Sequence, residues 1–299
     1  MSFTQQVKNQ ICETLPQKAC CQQALILSVL LCSRGYAKTS IGFHTENKEV
    51  ADGFAQTVID LFGVVVTITS PPPGKGRRKM YYVSIDDSDD QELLHDYLEE
   101  QRQELFVRVK DSRCCAQTFV KGAFLMTGSM IDPSKRYHLE FAFADAEVCT
   151  LVSDLLVEYG FVGLKTTQRG EDTILYCKDS ETMIEILTYI GATESTFELM
   201  NLKIEKELRN QINRQNNCEF ANMDKTIAAA GEQLAAIKKL KDAGKWDYLS
   251  SELQFAANLR LENPESSLSD LCALYPTPVN RSTLSRRFAK ICKIAKEEI

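Results

Sequence analysis

The chain has 299 residues, of which 44% are hydrophobic and 25% are charged, a composition typical of a globular protein with about two domains. Its net charge of −6 argues against a protein that coats nucleic acid over its whole surface, because phosphate binding needs local positive potential. No segment approaches the roughly 18 consecutive apolar residues of a membrane span, and the first twenty residues lack a signal peptide's apolar centre, so we expect a cytoplasmic protein.

Charge is distributed unevenly along the chain. Residues 1–192 carry 19 Lys and Arg against 26 Asp and Glu, whereas residues 193–299 carry 16 against 15. Since DNA attracts local positive charge, we expect any contact with DNA at the C-terminal end.

Eleven cysteines sit mostly among apolar neighbours, which favours buried thiols over a disulfide framework. A structural zinc site is the alternative, but the chain has no CxxC motif and its three histidines show no ligand-like spacing with a cysteine. We therefore expect neither a metal nor a cofactor.

The first two-thirds of the chain contain an internal repeat at a lag of 93 to 98 residues. Each copy begins with two adjacent cysteines, at 20–21 and at 114–115, followed by a continuous apolar run that ends at Gly35 or Gly128. Runs of this kind predict buried helices closed by glycine.

A strand and an amphipathic helix follow in both copies. Aromatic and β-branched residues predict strands at 40–45 and 137–143. Apolar residues at helical spacing then predict helices that end at Gly63 and Gly160.

A hairpin and a closing helix complete each copy, with the second hairpin turning at residues 169–172. The order helix, strand, helix, hairpin, helix predicts a pseudo-symmetric α+β domain with the apolar helices at its centre. We place this domain at 1–195, with copies at about 1–105 and 106–195. The alternation of apolar and polar residues along the strands leaves open which strands pair.

The apolar run at 119–130 resembles the LAGLIDADG helix of homing endonucleases. In those enzymes the acidic residue just before the last glycine holds a divalent metal that activates water. That position is Thr127 here, and it is Arg34 in the first copy. Asp132 is a substitute ligand, but its counterpart segment 36–39 supplies no second carboxylate. The sequence therefore predicts a degenerate endonuclease domain and no enzyme activity.

An amide-rich, basic segment follows, and we predict a helical linker or hinge at 196–217 before a C-terminal domain at 218–299. Asparagine is a poor interior helix residue and a good cap, which favours a hinge where one helix ends and the next begins near Asn217. Auxiliary contact with DNA phosphates is the alternative. The residues considered for either role are Arg209, Asn213, Arg214, Asn217 and Lys225.

The C-terminal domain contains the pattern of a helix-turn-helix at about 267–296. A preceding helix should stop before Asn263, which is followed by proline. Ser267 is a cap for a short helix, prolines at 276 and 278 predict a rather long turn, and Asn280 is a cap for the final helix.

The final helix is amphipathic, with Leu284 and Phe288 among the residues expected to pack inward against Leu268, Leu271 and Leu274. Residues 267–299 hold six Lys and Arg against three Asp and Glu, an excess that fits phosphate attraction. Recognition helices meet base edges in the major groove near their N-terminal end. The residues predicted to contact DNA are Arg281, Ser282, Ser285, Arg286, Lys290 and Lys293.

Three segments together resemble the WhiA family of sporulation transcription regulators: RNQINRQNNCEFANMDKT at 209–226, GSMIDPSKRYHLEF at 128–141 and SSLSDLCALYPTPVNRSTLSRRF at 266–288. With the repeat and the helix-turn-helix, the resemblance covers nearly the whole chain. It implies a regulator that binds promoter or chromosomal double-stranded DNA, linked to sporulation or to cell division and chromosome segregation. A regulatory protein or sigma factor is a further partner, while a membrane and a small-molecule substrate are not expected.

Two other functions are weighed against this one. A protein-interaction scaffold would use the acidic N-terminal domain to bind a basic partner. An active LAGLIDADG endonuclease would need a metal site that the sequence does not supply.

Overall fold

The structure is a computed structural model that describes residues 1–33, 41–72 and 79–297. It divides into two compact units, Met1–Lys206 and Glu207–Ile299. The first unit is α+β and duplicated, and the second is helical, which confirms the predicted fold class. Among the described residues, helices long and apolar enough to cross a membrane are absent.

The first copy begins with a short helix that the sequence did not predict, α1. Its elements are α1 (Phe3–Glu13), α2 (Ala19–Cys32), β1 (Gly42–Thr45), α3 (Lys48–Phe62), β2 (Thr67–Thr69), β3 (Tyr81–Ser84) and α4 (Ser88–Asp111).

The second copy repeats this order from α2 onward, with one added strand, β4. Its elements are α5 (Arg113–Thr127), β4 (Gly128–Met130), β5 (Leu139–Phe143), α6 (Ala146–Glu158), β6 (Lys165–Arg169), β7 (Asp172–Cys177) and α7 (Ser180–Tyr189).

Both sheets are antiparallel and pair their strands in the same way, which the alternation of residues could not decide. The first has the order β1-β3-β2, and the second has the order β4-β5-β7-β6. Phe43 lies opposite Val83 in the first sheet, and Phe141 lies opposite Leu175 in the second. The last strand of each hairpin therefore lies between the other hairpin strand and the strand that precedes the hairpin.

Two glycines end equivalent helices, as predicted. Gly63 follows α3 with φ +71°, and Gly160 lies just beyond the end of α6 with φ +90°. This left-handed conformation costs little only for glycine, so each copy uses the same device to turn from helix to hairpin.

Helices α2 and α5 form the centre of the first unit and make its most extensive contact between elements. Their side chains are buried along most of both helices, which is why the sequence shows continuous apolar runs and not amphipathic ones. The two sheets and the remaining helices of both copies pack around this pair.

The second unit has its own apolar core. A long helix, α8 (Thr193–Asp242), contains the division between the units at 206/207. A single-turn 3₁₀ helix (Trp246–Tyr248) and α9 (Ser251–Glu262) follow it. The unit ends with α10 (Leu268–Ala273) and α11 (Arg281–Glu297). The finer boundaries 1–195, 196–217 and 218–299 stay predictions.

The expectation that one helix ends near Asn217 is wrong, because Asn217 lies inside α8. No glycine or proline occurs between residues 193 and 230 to interrupt the helix. Each asparagine costs at most about 0.7 kcal/mol in a helix interior, which the surrounding good helix formers offset. Asparagine content alone was therefore a poor sign of a helix boundary.

Candidate nucleic-acid interface

The short helix α10 is fixed by a capping box at its N-terminus. The Ser267 hydroxyl oxygen accepts a hydrogen bond from the amide of Asp270 at 3.2 Å, and the Asp270 carboxylate accepts one from the amide of Ser267 at 3.0 Å. The hydrogen bonds from Ser267 lower the pKa of Asp270 below its usual value, so the carboxylate form is favoured. The predicted cap is confirmed.

Asn280 caps the N-terminus of α11 with its side chain. Its Oδ1 accepts hydrogen bonds from the Thr283 amide and the Ser282 hydroxyl, each at 2.8 Å. The cap fixes where α11 begins and therefore which of its side chains face outward.

Helix α11 has one buried face and one exposed face. Leu284, Phe288, Ile291 and Ala295 are buried against the rest of the second unit. All six predicted contact residues are exposed: Arg281, Ser282, Ser285, Arg286, Lys290 and Lys293. Five of them lie on the other side of the helix, whereas Arg281 is in register with Leu284 and Phe288 and is exposed in the first turn. Lys293 is also paired with Glu297 at 3.5 Å, but both side chains are mostly exposed, so this pair is weak.

The inward packing of α10 differs from the prediction at one residue. Leu268 and Leu271 pack against α11, whereas Leu274 is 51% exposed. Leu274 is the residue that follows α10, and its backbone is still in the right-handed helical region. Tyr275 packs inward instead, with its ring centroid 4.9 Å from that of Phe255.

A buried arginine, Arg260 of α9, joins several parts of the second unit. Its side chain is 1% exposed. Nε donates to the Gln233 side chain of α8 at 3.0 Å, Nη1 donates to the Asn263 carbonyl at 3.3 Å, and the guanidinium lies 5.4 Å from the centre of the Phe288 ring. Burial lowers the pKa of Arg260. Its burial could not be predicted from the sequence, because arginine is rarely buried and no local pattern distinguishes one that is.

Arg287 differs from its neighbour Arg286 in being half-buried. Its guanidinium donates to Glu252 of α9 at 3.1 Å and lies 5.6 Å from the centre of the Tyr275 ring. Although it counts toward the cationic excess of the segment, Arg287 holds α11 against α9 and does not lie on the exposed face.

The five auxiliary residues are all exposed on α8: Arg209, Asn213, Arg214, Asn217 and Lys225. At 100° per residue they fall within about 160° of the helix circumference, so they share one side. Lys225 also lines a groove of about 420 Å³ together with Ser267 and Arg281. The structure therefore brings Lys225 close to the start of α11.

The position of the metal in LAGLIDADG enzymes corresponds to the C-terminal ends of α2 and α5. A cavity of about 140 Å³ lies there, and its described lining contains no carboxylate: Cys32, Ser33, Phe43, His44, Met126, Thr127 and Ala142. Thr127 donates its hydroxyl to the Ala123 carbonyl of its own helix at 2.8 Å. Arg34 lies outside the described residues.

Asp132, the substitute ligand, is exposed at the start of a turn and does not line this cavity. Its Oδ1 accepts hydrogen bonds from the Ser134 hydroxyl at 2.6 Å and the Ser134 amide at 2.9 Å. These bonds lower the pKa of Asp132 and account for its role in the turn.

At the opposite ends of the same two helices, four thiols lie together. The Sγ atoms of Cys20, Cys21, Cys114 and Cys115 are all within 4.8 Å of one another. Burial raises the pKa of Cys21 to about 12 and that of Cys115 to about 11, whereas hydrogen bonds from Ser112 and Cys21 lower the pKa of Cys114 to about 7. Within the described residues this is the group that could hold a metal ion.

Comparison with known proteins decides the family. A sequence profile for the WhiA C-terminal HTH domain matches residues 212–295, and one for the WhiA LAGLIDADG-like domain matches residues 116–209. Two relatives are each named "Probable cell division protein WhiA". The one from Lachnoclostridium phytofermentans is 31% identical to this chain, and the one from Clostridium acetobutylicum is 32% identical to this chain. Each alignment covers 99% of this chain and 98% of the relative. The chain belongs to the WhiA family.

Solved WhiA structures show the same fold. The crystal structure of full-length WhiA from Thermotoga maritima matches with a TM-score of 0.63 and 19% identity, covering 99% of this chain and 98% of that one. The N-terminal LAGLIDADG domain of WhiA, solved alone, matches with a TM-score of 0.50 and 17% identity, over 64% of this chain and 92% of that one. At these identities the similarity establishes the WhiA fold.

Proposed function

We propose that this WhiA-family chain is a sequence-specific DNA-binding transcription regulator without nuclease activity. It acts in the cytoplasm on promoter or chromosomal DNA of the nucleoid. The names of its relatives favour a role in cell division, and the family resemblance adds chromosome segregation and sporulation. A regulatory protein or sigma factor is its proposed protein partner.

The exposed face of α11 is the observation that carries this proposal. Arg286 and Lys290 lie one helical turn apart on that face. Arg281 and Ser282 are the first two residues of α11 and are exposed at its N-terminus. A recognition helix inserted into the major groove presents residues of its N-terminal part to base edges, and cations along it to phosphates. The caps at Ser267 and Asn280 hold the motif rigid enough for such contacts.

The second candidate contact is the side of α8 that carries the auxiliary residues. Lys225 shares a groove with Arg281, so a DNA backbone that follows the start of α11 would meet both cations. Arg209, Asn213, Arg214 and Asn217 extend the same side of α8. We assign them to phosphate contact and not to a hinge, because α8 runs through all of them without a break.

The donor set of the cavity beside Thr127 supports the absence of nuclease activity. A thiol, two hydroxyls and an imidazole line it, whereas Mg²⁺ is held by oxygen ligands that include carboxylates. Burial raises the pKa of the Cys32 thiol to about 12, so this thiol stays neutral and adds no negative charge.

The scaffold alternative draws its support from charge. Residues 1–192 hold 26 acidic against 19 basic side chains, a surface better suited to a basic protein than to DNA. The two functions differ in what they require of α11: only DNA binding depends on its exposed cations.

The test begins with duplexes selected by the wild-type chain from a randomised pool. Their affinity is compared with that of scrambled duplexes by fluorescence anisotropy over a range of salt concentrations. We expect the selected duplex to bind about 1,000-fold more tightly or better. We also expect the logarithm of the association constant to fall linearly with that of the salt concentration, with a slope equivalent to a few phosphates. Equal, weak binding of both duplexes contradicts the proposal and favours the scaffold.

Substitution is a sharper test than deleting residues 267–299. The deletion removes Leu271, Leu284 and Phe288 from the core of the second unit, so loss of function would follow from unfolding alone.

A further inference from the structure

The four clustered cysteines lie where the two central helices begin. Cys20 and Cys21 are the second and third residues of α2, and Cys114 and Cys115 occupy the same places in α5. Each copy of the repeat thus contributes one adjacent pair, 94 residues apart. The cluster therefore lies between the copies, at the first turns of their equivalent helices.

The spacing of the sulfur atoms fits a single tetrahedral ion. All four Sγ atoms are within 4.8 Å of one another, and those of Cys20 and Cys21 are 3.9 Å apart. Zinc bonds thiolates at about 2.3 Å, which places tetrahedral ligands about 3.8 Å from one another. Contraction by about 1 Å or less completes the site. An iron–sulfur cluster places several irons and sulfides among its cysteines and needs wider spacing.

The N-termini of the two helices attract negative charge at the cluster and oppose the burial that raises the pKa of Cys21 and Cys115. Both helices direct the positive ends of their dipoles at the cluster, and neither has an acidic residue in its first turn. Helices α3, α4, α6 and α7 differ, since each begins with an Asn or Asp cap and an acidic first turn. Four thiolates around one divalent ion would carry two net negative charges, which these helix ends stabilise.

Two neighbouring side chains add to this effect. Ser112 precedes α5, but its hydroxyl makes no cap hydrogen bond among the described residues and lies 3.3 Å from the Cys114 sulfur. Lys18 precedes α2 and acts electrostatically on Cys114. A hydroxyl donor and a cation in these positions stabilise the thiolate form of a cysteine.

We infer that Cys20, Cys21, Cys114 and Cys115 form a structural site for one Zn²⁺ ion that links the two copies of the repeat. Cys21 and Cys115 are buried, whereas Cys20 and Cys114 are half-exposed and leave a path for the ion. The site is separate from the exposed face of α11 and does not depend on the proposed DNA binding. A CxxC motif is not needed, because each copy supplies two adjacent ligands.

The experiment uses Co²⁺ as a spectroscopic probe of the full chain, reduced and freed of metal. We expect one Co²⁺ per chain, with the strong visible bands of tetrahedral coordination and the near-ultraviolet charge transfer of thiolate ligands. An equimolar amount of Zn²⁺ should abolish both. A Cys20→Ser/Cys114→Ser variant should bind at least about 100-fold more weakly. Loss of a residue that only hydrogen-bonds to a metal ligand already costs about 10- to 100-fold in metal affinity, and this variant removes two ligands. The matched control, Cys12→Ser/Cys32→Ser, removes two other half-buried thiols of the same unit and should bind normally.

A second measurement uses only the wild-type chain and is independent of how the variants fold. Alkylation with mass spectrometry should show that Zn²⁺ protects these four cysteines and not exposed Cys218. The inference is overturned if tetrahedral Co²⁺ bands are absent or persist in the double variant. The inference is also overturned if these cysteines are alkylated equally with and without Zn²⁺. Disulfides among the four cysteines in protein purified without oxidant would overturn the inference as well.

Discussion

Ser28 of α2 donates a 2.6 Å hydrogen bond to the main-chain oxygen of Phe119 in α5, at a buried crossing of the two central helices. The equivalent residue in the second copy is Gly122, which approaches the main-chain oxygen of Leu25 in the same way. Ser28 and Gly122 are 94 residues apart, as are Leu25 and Phe119. The two copies therefore meet through a pair of symmetry-related contacts between a small residue and a carbonyl.

Gly122→Ala should destabilise the first unit. A Cβ atom at this position would lie 2.8 Å from the Ser28 Cβ and 3.2 Å from the Leu25 carbonyl oxygen, so the helices must separate. Overpacking of this kind outweighs the gain in helix propensity, and we expect a net loss of about 1 to 2 kcal/mol in the free energy of unfolding. Urea denaturation followed by circular dichroism measures it.

Gly231→Ala is the control for that substitution. Gly231 also lies in a helix, but apart from the adjacent turns of its own helix no atom of the described residues lies within 4 Å of where its Cβ would be. Alanine should stabilise the second unit by up to about 1 kcal/mol, since glycine is a poor helix former. Trp246, the chain's one tryptophan, packs against the core of this unit and reports its unfolding by fluorescence. Equal losses in both variants would show that the approach of α2 to α5 is not tight.

Arg260→Ala should destabilise the second unit strongly. The substitution leaves a cavity beside Phe288 and removes the donor to the Gln233 side chain and the Asn263 carbonyl. We expect a loss of about 3 kcal/mol. Arg287→Ala, which breaks a pair with the 70%-exposed Glu252, should cost about 1 kcal/mol or less. Trp246 fluorescence in urea compares the two, and a similar cost for both would contradict the joining role of Arg260.

Glu140, in strand β5, gives the first unit a defined pH response. Burial raises its pKa, but the hydrogen bonds from Arg169 at 2.9 Å and His138 at 3.0 Å lower it by more, so its net pKa lies below the ordinary 4.5. A carboxyl group whose pKa is lowered by folding stabilises the fold above its unfolded pKa, and this contribution is lost as the pH falls through the folded pKa.

Arg169→Met should therefore raise the pKa of Glu140. Burial still raises this pKa in the variant, whereas the hydrogen bond from Arg169 that lowers it is lost. The loss of stability relative to wild type should be largest at neutral pH and shrink well below pH 4.5, where Glu140 is protonated in both proteins. NMR titration of the Glu140 carboxyl and urea denaturation at several pH values measure these effects. A stability difference that grows on acidification would contradict this sign.

Supercoiled plasmid should survive incubation with the protein and Mg²⁺ or Mn²⁺. The described lining of the cavity beside Thr127 supplies no carboxylate for either ion. Gel electrophoresis of the plasmid tests this prediction. Metal-dependent cleavage that Asp132→Ala abolishes would restore the endonuclease as the function of the first unit.

Much of the fold could be predicted because its signals are local and occur twice. Gly63 and Gly160 mark equivalent helix ends, and Ser267 and Asn280 are caps whose role is read from sequence spacing. Strand pairing could not be predicted, because it depends on contacts across the whole copy.

Other features depend on residues far apart in the chain. The partners of Arg260 come from α8, from the end of α9 and from α11, so its burial has no local sign. The helix α8 continues through Asn217 because the helix propensity of the surrounding residues outweighs the capping preference of asparagine, and a local pattern does not show which of the two prevails. The thiol cluster did have a signal, a cysteine pair at the same place in both copies, but its meaning required knowing that α2 and α5 lie side by side.

The affinity of an Arg286→Ala/Lys290→Ala variant for the selected duplex tests the central claim most directly. Both side chains are exposed and make no contribution to the core, so circular dichroism and Trp246 fluorescence should stay as in wild type. We expect affinity to fall by about 10-fold or more and the salt slope to decrease, whereas Lys238→Ala, which removes an exposed cation of α8 in the same unit, should have a much smaller effect. Wild-type affinity in the double variant, with its fold intact, would contradict the assignment of α11 as the DNA-recognition helix.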